Sequence, residues 1–169
     1  MADPDQAQAS VEKGQSAEEL KTRLEREHGE LLQELRSLIP GAQVLFGFLL
    51  VVRFTDQFDD LSDTLRYVYY VTLLSTSAAL VFFLAPAAYH RVRFRAGDKE
   101  YMVRKGNREA IAGTVAISIA FTGVIYLVTD LVFGTSQAIV VAAGFFALIA
   151  WLWWGIALYR TWQDRREPV

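Results

Sequence analysis

The chain has 169 residues, of which 53% are hydrophobic and 13% aromatic, with a formal net charge of −2 and no cysteine. That length suits one domain, and the charge offers no whole-protein case for nucleic-acid binding. Disulfides, thiol catalysis and cysteine metal sites are excluded.

Residues 1–15 are rich in Ala, Gln, Asp and Ser without periodicity, and are expected to be disordered. The segment 1–37 is polar and net acidic with no apolar core, the pattern of a chain without a cleavable signal peptide. At Ser16 the pattern changes. Ser16 and Glu19 form a capping box that predicts a helix over residues 16–37. Leu20, Leu24, His28, Leu31, Leu35 and Leu38 then recur at near-heptad spacing as one apolar stripe. Three placements of this amphipathic helix stay open. It can pack on its own bundle, pair with a second copy through residues 20–38 as a coiled coil, or lie on the membrane. Nine acids against five bases make the third the weakest. His28 reads as a packed or half-exposed histidine rather than as a metal ligand or proton relay.

Four apolar runs follow, at residues 38–54, 67–89, 110–128 and 138–159. Each is close to the roughly 20 residues a helix needs to cross a bilayer. In hydrocarbon every backbone group needs an internal partner, so each run must be helical. The fold class is an all-α membrane protein: four transmembrane helices over residues 38–160, preceded by the amphipathic helix and followed by a tail over 161–169. Of the 17 Lys and Arg residues, 15 lie in the N-terminal segment, the loop between the second and third runs, and the tail; the other two are Arg53 and Arg66. This places both termini in the cytoplasm. The expected location is a bacterial cell membrane, with the lipid bilayer itself as partner.

The first run starts with Pro40 and Gly41. Pro40 has no N–H for the carbonyl of Arg36, so the preceding helix is expected to end or kink there, with the pair as hinge. Gln43 lies one turn further on with Gly47 beyond it, and this face is expected to meet a neighbouring helix. Arg53 closes the run and is expected to reach toward Asp56 and the lipid headgroups. The next loop carries Asp56, Asp59, Asp60 and Asp63, which would share one face of a helical loop and could attract a hard cation. The simpler reading is a solvated loop in which Asp63 caps the second span.

Small residues are patterned in the spans. Thr72, Ser75, Thr76 and Ala79 in the second, Gly113, Ala116, Ala120 and Gly123 in the third, and Ala143, Ala147 and Ala150 in the fourth predict close helix packing. Thr114, Ser118 and Thr122 form the nearest thing to a hydrophilic file, although such hydroxyls can bond their own helix. Tyr67, Tyr69 and Tyr70 at one end, and Trp153, Trp154, Tyr159 and Trp162 at the other, read as interfacial belts. His90, Arg91, Arg93 and Arg95 follow the second span and suit anionic lipid headgroups as well as topology. No nucleic-acid module accompanies them. Asp130 sits at the far end of the third span.

No phosphate loop, dinucleotide glycine motif, zinc-protease motif or nucleophile elbow is present in the sequence. No run has a carboxylate near its middle, where proton-coupled carriers place one. No cofactor is implied and no enzyme is expected.

Four segments together carry a resemblance. They are E-L-R-x-x-x-P-G-x-Q-x-L-F-x-F-L-L at residues 34–50, F-x-x-L at 58–61, A-P-x-A-x-H-R-x-x-F-R at 85–95, and Asn107 with Arg108. On these the chain resembles an uncharacterised family of small bacterial four-span membrane proteins, over residues 34–160. The resemblance implies the topology and no activity, although some members bear a sodium:proton antiporter label. Two functions are therefore carried forward. One is a non-enzymatic membrane protein that self-associates or binds a partner. The other is a small cation or solute transporter or channel acting as an oligomer, for which Gln43, Arg53, Asp56 and Asp130 are the candidate polar positions.

Overall fold

The computed structural model describes residues 4–92, 99–156 and 159. The described residues form four long helices: α1 (Pro4–Val52), α2 (Asp63–Val92), α3 (Lys99–Phe133) and α4 (Thr135–Ala150). A 3₁₀ turn, Asp56–Phe58, lies between α1 and α2, and a π-helical turn, Trp151–Gly155, continues α4. Four helical stretches are long and apolar enough to cross a membrane: Thr22–Val52, Asp63–Tyr89, Tyr101–Phe133 and, taking α4 with its π-helical turn, Thr135–Gly155.

α1 departs from expectation in two places. Its backbone is helical from Pro4, so the expected disorder of residues 1–15 is not found over residues 4–15. Ala, Gln, Glu and Lys there are strong helix formers, and proline is suited to a first turn. Of the two alternatives expected at Pro40, an end or a kink, the end is not found, because Pro40 lies inside the helix. An interior proline costs a helix about 3 kcal/mol. The offset comes from packing on both sides of it. Leu35, Ala42 and Leu49 recur every seven residues across Pro40 and are only 3%, 2% and 5% exposed. At 49 residues α1 is about 73 Å long, over twice the hydrocarbon thickness, so much of it projects beyond the bilayer.

α2 and α3 form the most extensive pairing and run antiparallel. Phe83 meets Gly113 near one end of the pair, and Thr72 meets Gly123 toward the other. The expected small-residue faces are the ones used: Thr72, Thr76 and Ala79 on α2, and Ala116 and Ala120 on α3, are buried. A methyl at Gly113 would stand 2.5 Å from Phe83 Cε1, and one at Gly123 would collide with Thr72 Oγ1. α1 packs on both α2 and α3, and Leu35, Ala42, Ala79, Phe83, Ala116 and Ala120 share one core. α4 packs on α3 through Ala138, Ala142 and Ile149. The expected stripe on this span is therefore corrected: Ala143 and Ala147 are exposed. In lipid both faces of a helix are apolar, so small size alone does not mark the contact face.

The α3–α4 connection is one residue. Gly134 has φ +91° and ψ 171°, a region open in practice to glycine alone. Its N–H donates to the Asp130 carbonyl at 2.9 Å, and its carbonyl accepts from Ala138 N–H at 3.1 Å.

Candidate functional site

At the end of the bundle that carries the α1–α2 loop, polar and aromatic side chains converge. α1 closes without glycine. Phe54 N–H donates to Val51 O at 2.9 Å, and the Thr55 N–H and hydroxyl both donate to Val52 O, at 3.2 and 2.8 Å. Tyr69 of α2 donates its hydroxyl to the Leu49 carbonyl at 2.7 Å. The last turn of a helix is where backbone carbonyls begin to lose their internal donors, so these bonds seal it. Tyr69 is thus a buried tie between helices, in contrast to Tyr67 and Tyr70, which are exposed as an interfacial belt would be. Its ring stands edge-on to Phe58, with centroids 4.9 Å apart.

Arg53 does not pair with Asp56 as expected. Its Nη1 lies 3.5 Å from Asp59 Oδ1, and its guanidinium covers the Phe58 ring at 4.7 Å. Arg66 Nη2 donates to the Asp59 backbone carbonyl at 2.7 Å. The loop turns as 3₁₀ around Phe58, which is buried, and that turn selects Asp59 over Asp56. The four aspartates therefore do not share a helical face. α2 is capped by Ser62, whose Oγ accepts Leu65 N–H at 3.3 Å, rather than by Asp63. No cluster of three His, Asp or Glu residues with metal-ligand geometry occurs among the described residues. Asp130 is half-buried in the last turn of α3, on a different hairpin from Asp56.

A shallow apolar cavity of about 380 Å³ opens beside this cluster, between the end of α1 and the start of α2. A second, about 340 Å³, lies over α3 between α2 and α4, where Val68, Ile119, Thr122 and Phe146 are among its walls.

In the interior the hydroxyls are used locally. Thr114, Ser118 and Thr122 each donate to the carbonyl four residues earlier at 2.7–2.8 Å, as do Thr72, Thr76 and Ser77. The supposed file along α3 is therefore a set of side chains bonded back to their own helix.

Gln43 is exposed on α1, and a methyl at Gly47 would meet nothing within 4 Å. The expectation that this face meets a neighbouring helix is not met within the chain. The buried face is the one through Leu35, Ala42 and Leu49. Gly41 is equally open, and with α1 unbroken the pair Pro40 and Gly41 does not separate two helices. Leu31 and Leu35 of the amphipathic stripe join the chain's own core, while Leu38 is exposed.

At the opposite, basic end, Lys105 Nζ covers the Tyr89 ring at 4.4 Å and stands 3.6 Å from Glu109 Oε1. Tyr89 and Tyr101 are 6.1 Å apart by centroid. Glu109 Oε2 is buried with no hydrogen-bond partner. The sequence reading missed this group because the apolar run starts one residue later. Arg91 is exposed. Arg93, Arg95 and the side chains of His28 and His90 lie outside the described residues, as does the tail over 161–169.

No curated protein and no solved structure matches the chain. The model of one family, described as a family of unknown function (DUF6328), matches residues 17–157 and so takes in most of the amphipathic helix as well as the four spans. A multi-pass helical membrane protein, the chain belongs to this DUF6328 family of unknown function.

Proposed function

We propose that the chain is a non-enzymatic integral protein of a bacterial cell membrane that works by association, first of all with a second copy of itself through the outward face of α1. The carrying observation is Gln43, a strongly polar side chain exposed on a membrane-crossing helix, with the open notch of Gly47 one turn away. An amide facing hydrocarbon lacks partners. An interhelical hydrogen bond between spans contributes about 0.6–2 kcal/mol, and small residues let two helices come close enough to form it. α1 runs unbroken from residues 20–38 into this span, so the exposed Leu38 can add to such a contact.

The absence of cysteine makes the test direct. Gln43→Cys or Gly47→Cys, oxidised in native membranes, is expected to give a disulfide-linked dimer. Leu35→Cys, buried in the chain's own core, is expected to give none. Failure of both outward positions to cross-link would overturn the reading.

A second reading, a small cation or solute transporter acting as an oligomer, draws support from Glu109, whose Oε2 is buried and unpaired near the basic end of α3. Cation flux in proteoliposomes that is abolished by Glu109→Gln would establish it; absence of flux in the wild-type chain would remove it.

A further inference from the structure

We propose that the cavity between the end of α1 and the start of α2 binds one phospholipid, its phosphodiester held by Arg53 and Arg66 and an acyl chain lying along the apolar wall. The inference is independent of whether α1 pairs with a second copy.

Three observations meet at this place. The first is the distribution of charge along the chain. Fifteen of the 17 Lys and Arg residues fall in the sequence segments 1–37, 90–109 and 160–169, and the two exceptions are Arg53 and Arg66. Basic residues at the other end work against the orientation signal, so retaining two of them there calls for a local use. The second is convergence. Both guanidiniums are drawn to Asp59, Arg53 to its carboxylate and Arg66 to its backbone carbonyl. Asp59 engages one nitrogen of each, and a guanidinium carries five N–H donors in a fork that matches phosphate oxygens. Stacking on Phe58 holds the Arg53 fork in place.

The third is the shape and chemistry of the cavity. It has about 380 Å³ of space, and the two arginines are the only charged residues in its lining. The remaining wall is Leu50, Phe54, Phe58, Leu73 and the two tyrosines Tyr69 and Tyr70. Phe54 is 86% exposed and Tyr70 is also exposed, so large apolar surface stands uncovered beside the charges. The aspartates of the loop are not part of the wall, and Asp59 holds the two guanidiniums from outside it. An apolar trough ending in two guanidiniums, at the depth where a helix meets the headgroups, complements a molecule with an acyl chain and an anionic phosphate.

The test uses the full chain in detergent, titrated with phosphatidylglycerol, phosphatidylcholine or inorganic phosphate, with bound lipid read by native mass spectrometry. One phosphatidylglycerol is expected to bind saturably, more tightly than phosphatidylcholine, with no competition from inorganic phosphate. Arg53→Gln with Arg66→Gln is expected to weaken binding about thirtyfold, the product of two basic contacts at a membrane surface. Arg26→Gln, exposed on α1 and paired there with Glu30, is expected to leave it unchanged. Should the double variant fail to fold, Leu50→Cys decides: phosphatidylglycerol is expected to slow its labelling by a maleimide. Equal binding by the double variant, displacement by free phosphate, or labelling of Leu50→Cys that lipid does not slow would each overturn the proposal.

Discussion

The Tyr69 hydroxyl and the Leu49 carbonyl are joined by a buried hydrogen bond of 2.7 Å, which ties the beginning of α2 to the last turn of α1. The bond crosses the hairpin whose loop carries Arg53 and Asp59, so its strength governs how firmly that end of the bundle is closed. Tyr69→Phe keeps the ring against Phe58 and removes only the donor. It is expected to destabilise the fold by about 1 kcal/mol, within the range for hydrogen bonds between membrane helices. Tyr69→Ala, which also removes the edge-on ring contact, is expected to be worse. Unfolding of the two variants in mixed micelles checks both.

The contact of Gly123 with Thr72 gives a second expectation. A methyl at Gly123 collides with Thr72 Oγ1, which is itself held by its bond to the Val68 carbonyl. Gly123→Ala is expected to cost about 1–3 kcal/mol, as overpacking of a tight interface does. Thr72→Ala removes the obstructing atom, so the double variant is expected to recover most of that loss. A double-mutant cycle with no coupling energy would contradict the contact.

Gly134 and Gly144 separate backbone strain from crowding. Gly134 has a positive φ, and the nearest atom to an added methyl is Gln137 Oε1 at 3.9 Å. Gly134→Ala is expected to cost about 1–3 kcal/mol through the backbone alone. Gly144 lies within α4 with nothing within 4 Å of an added methyl. Gly144→Ala is expected to be neutral or to stabilise by up to about 1 kcal/mol, the helix-propensity difference. Thermal unfolding of the two variants side by side reads the contrast.

The sidedness expected from the basic residues is open to chemical labelling. In this cysteine-free chain, Gln137→Cys at the start of α4 is expected to react with a membrane-impermeant thiol reagent from outside intact cells. Ser16→Cys in the amphipathic helix is expected to react only after lysis. The reverse pattern would invert the orientation.

Much of the architecture was legible in the amino-acid order because lipid leaves an apolar run few choices. An uncharged stretch of bilayer length must satisfy its own backbone, and the helix is the one local structure that does so. Each of the four expected spans overlaps a helical stretch able to cross a membrane, and the small-residue face of α3 through Ala116 and Ala120 is buried where its spacing placed it. The site was less legible. Arg53 pairs with Asp59 because the 3₁₀ turn buries Phe58 and rotates the loop, a matter of loop geometry that residue spacing does not encode. Tyr69 looked like its neighbours Tyr67 and Tyr70, since three adjacent tyrosines carry no mark of which one turns inward.

The sequence by itself determined how many helices cross the membrane, where each lies along the chain, and which end of the bundle gathers the basic residues. These follow from length, hydrophobicity and charge, which act on each segment independently. The tertiary structure alone decided which side of each helix is covered. It buried Leu35, Ala42 and Leu49 across an unbroken Pro40, left Gln43 and Gly47 facing outward, and turned Ala142 rather than Ala143 toward α3. A soluble helix announces its buried face by its polarity. In a membrane both faces are apolar, and the choice between them is made by shape and close packing, which exist only once the neighbouring helices are in place.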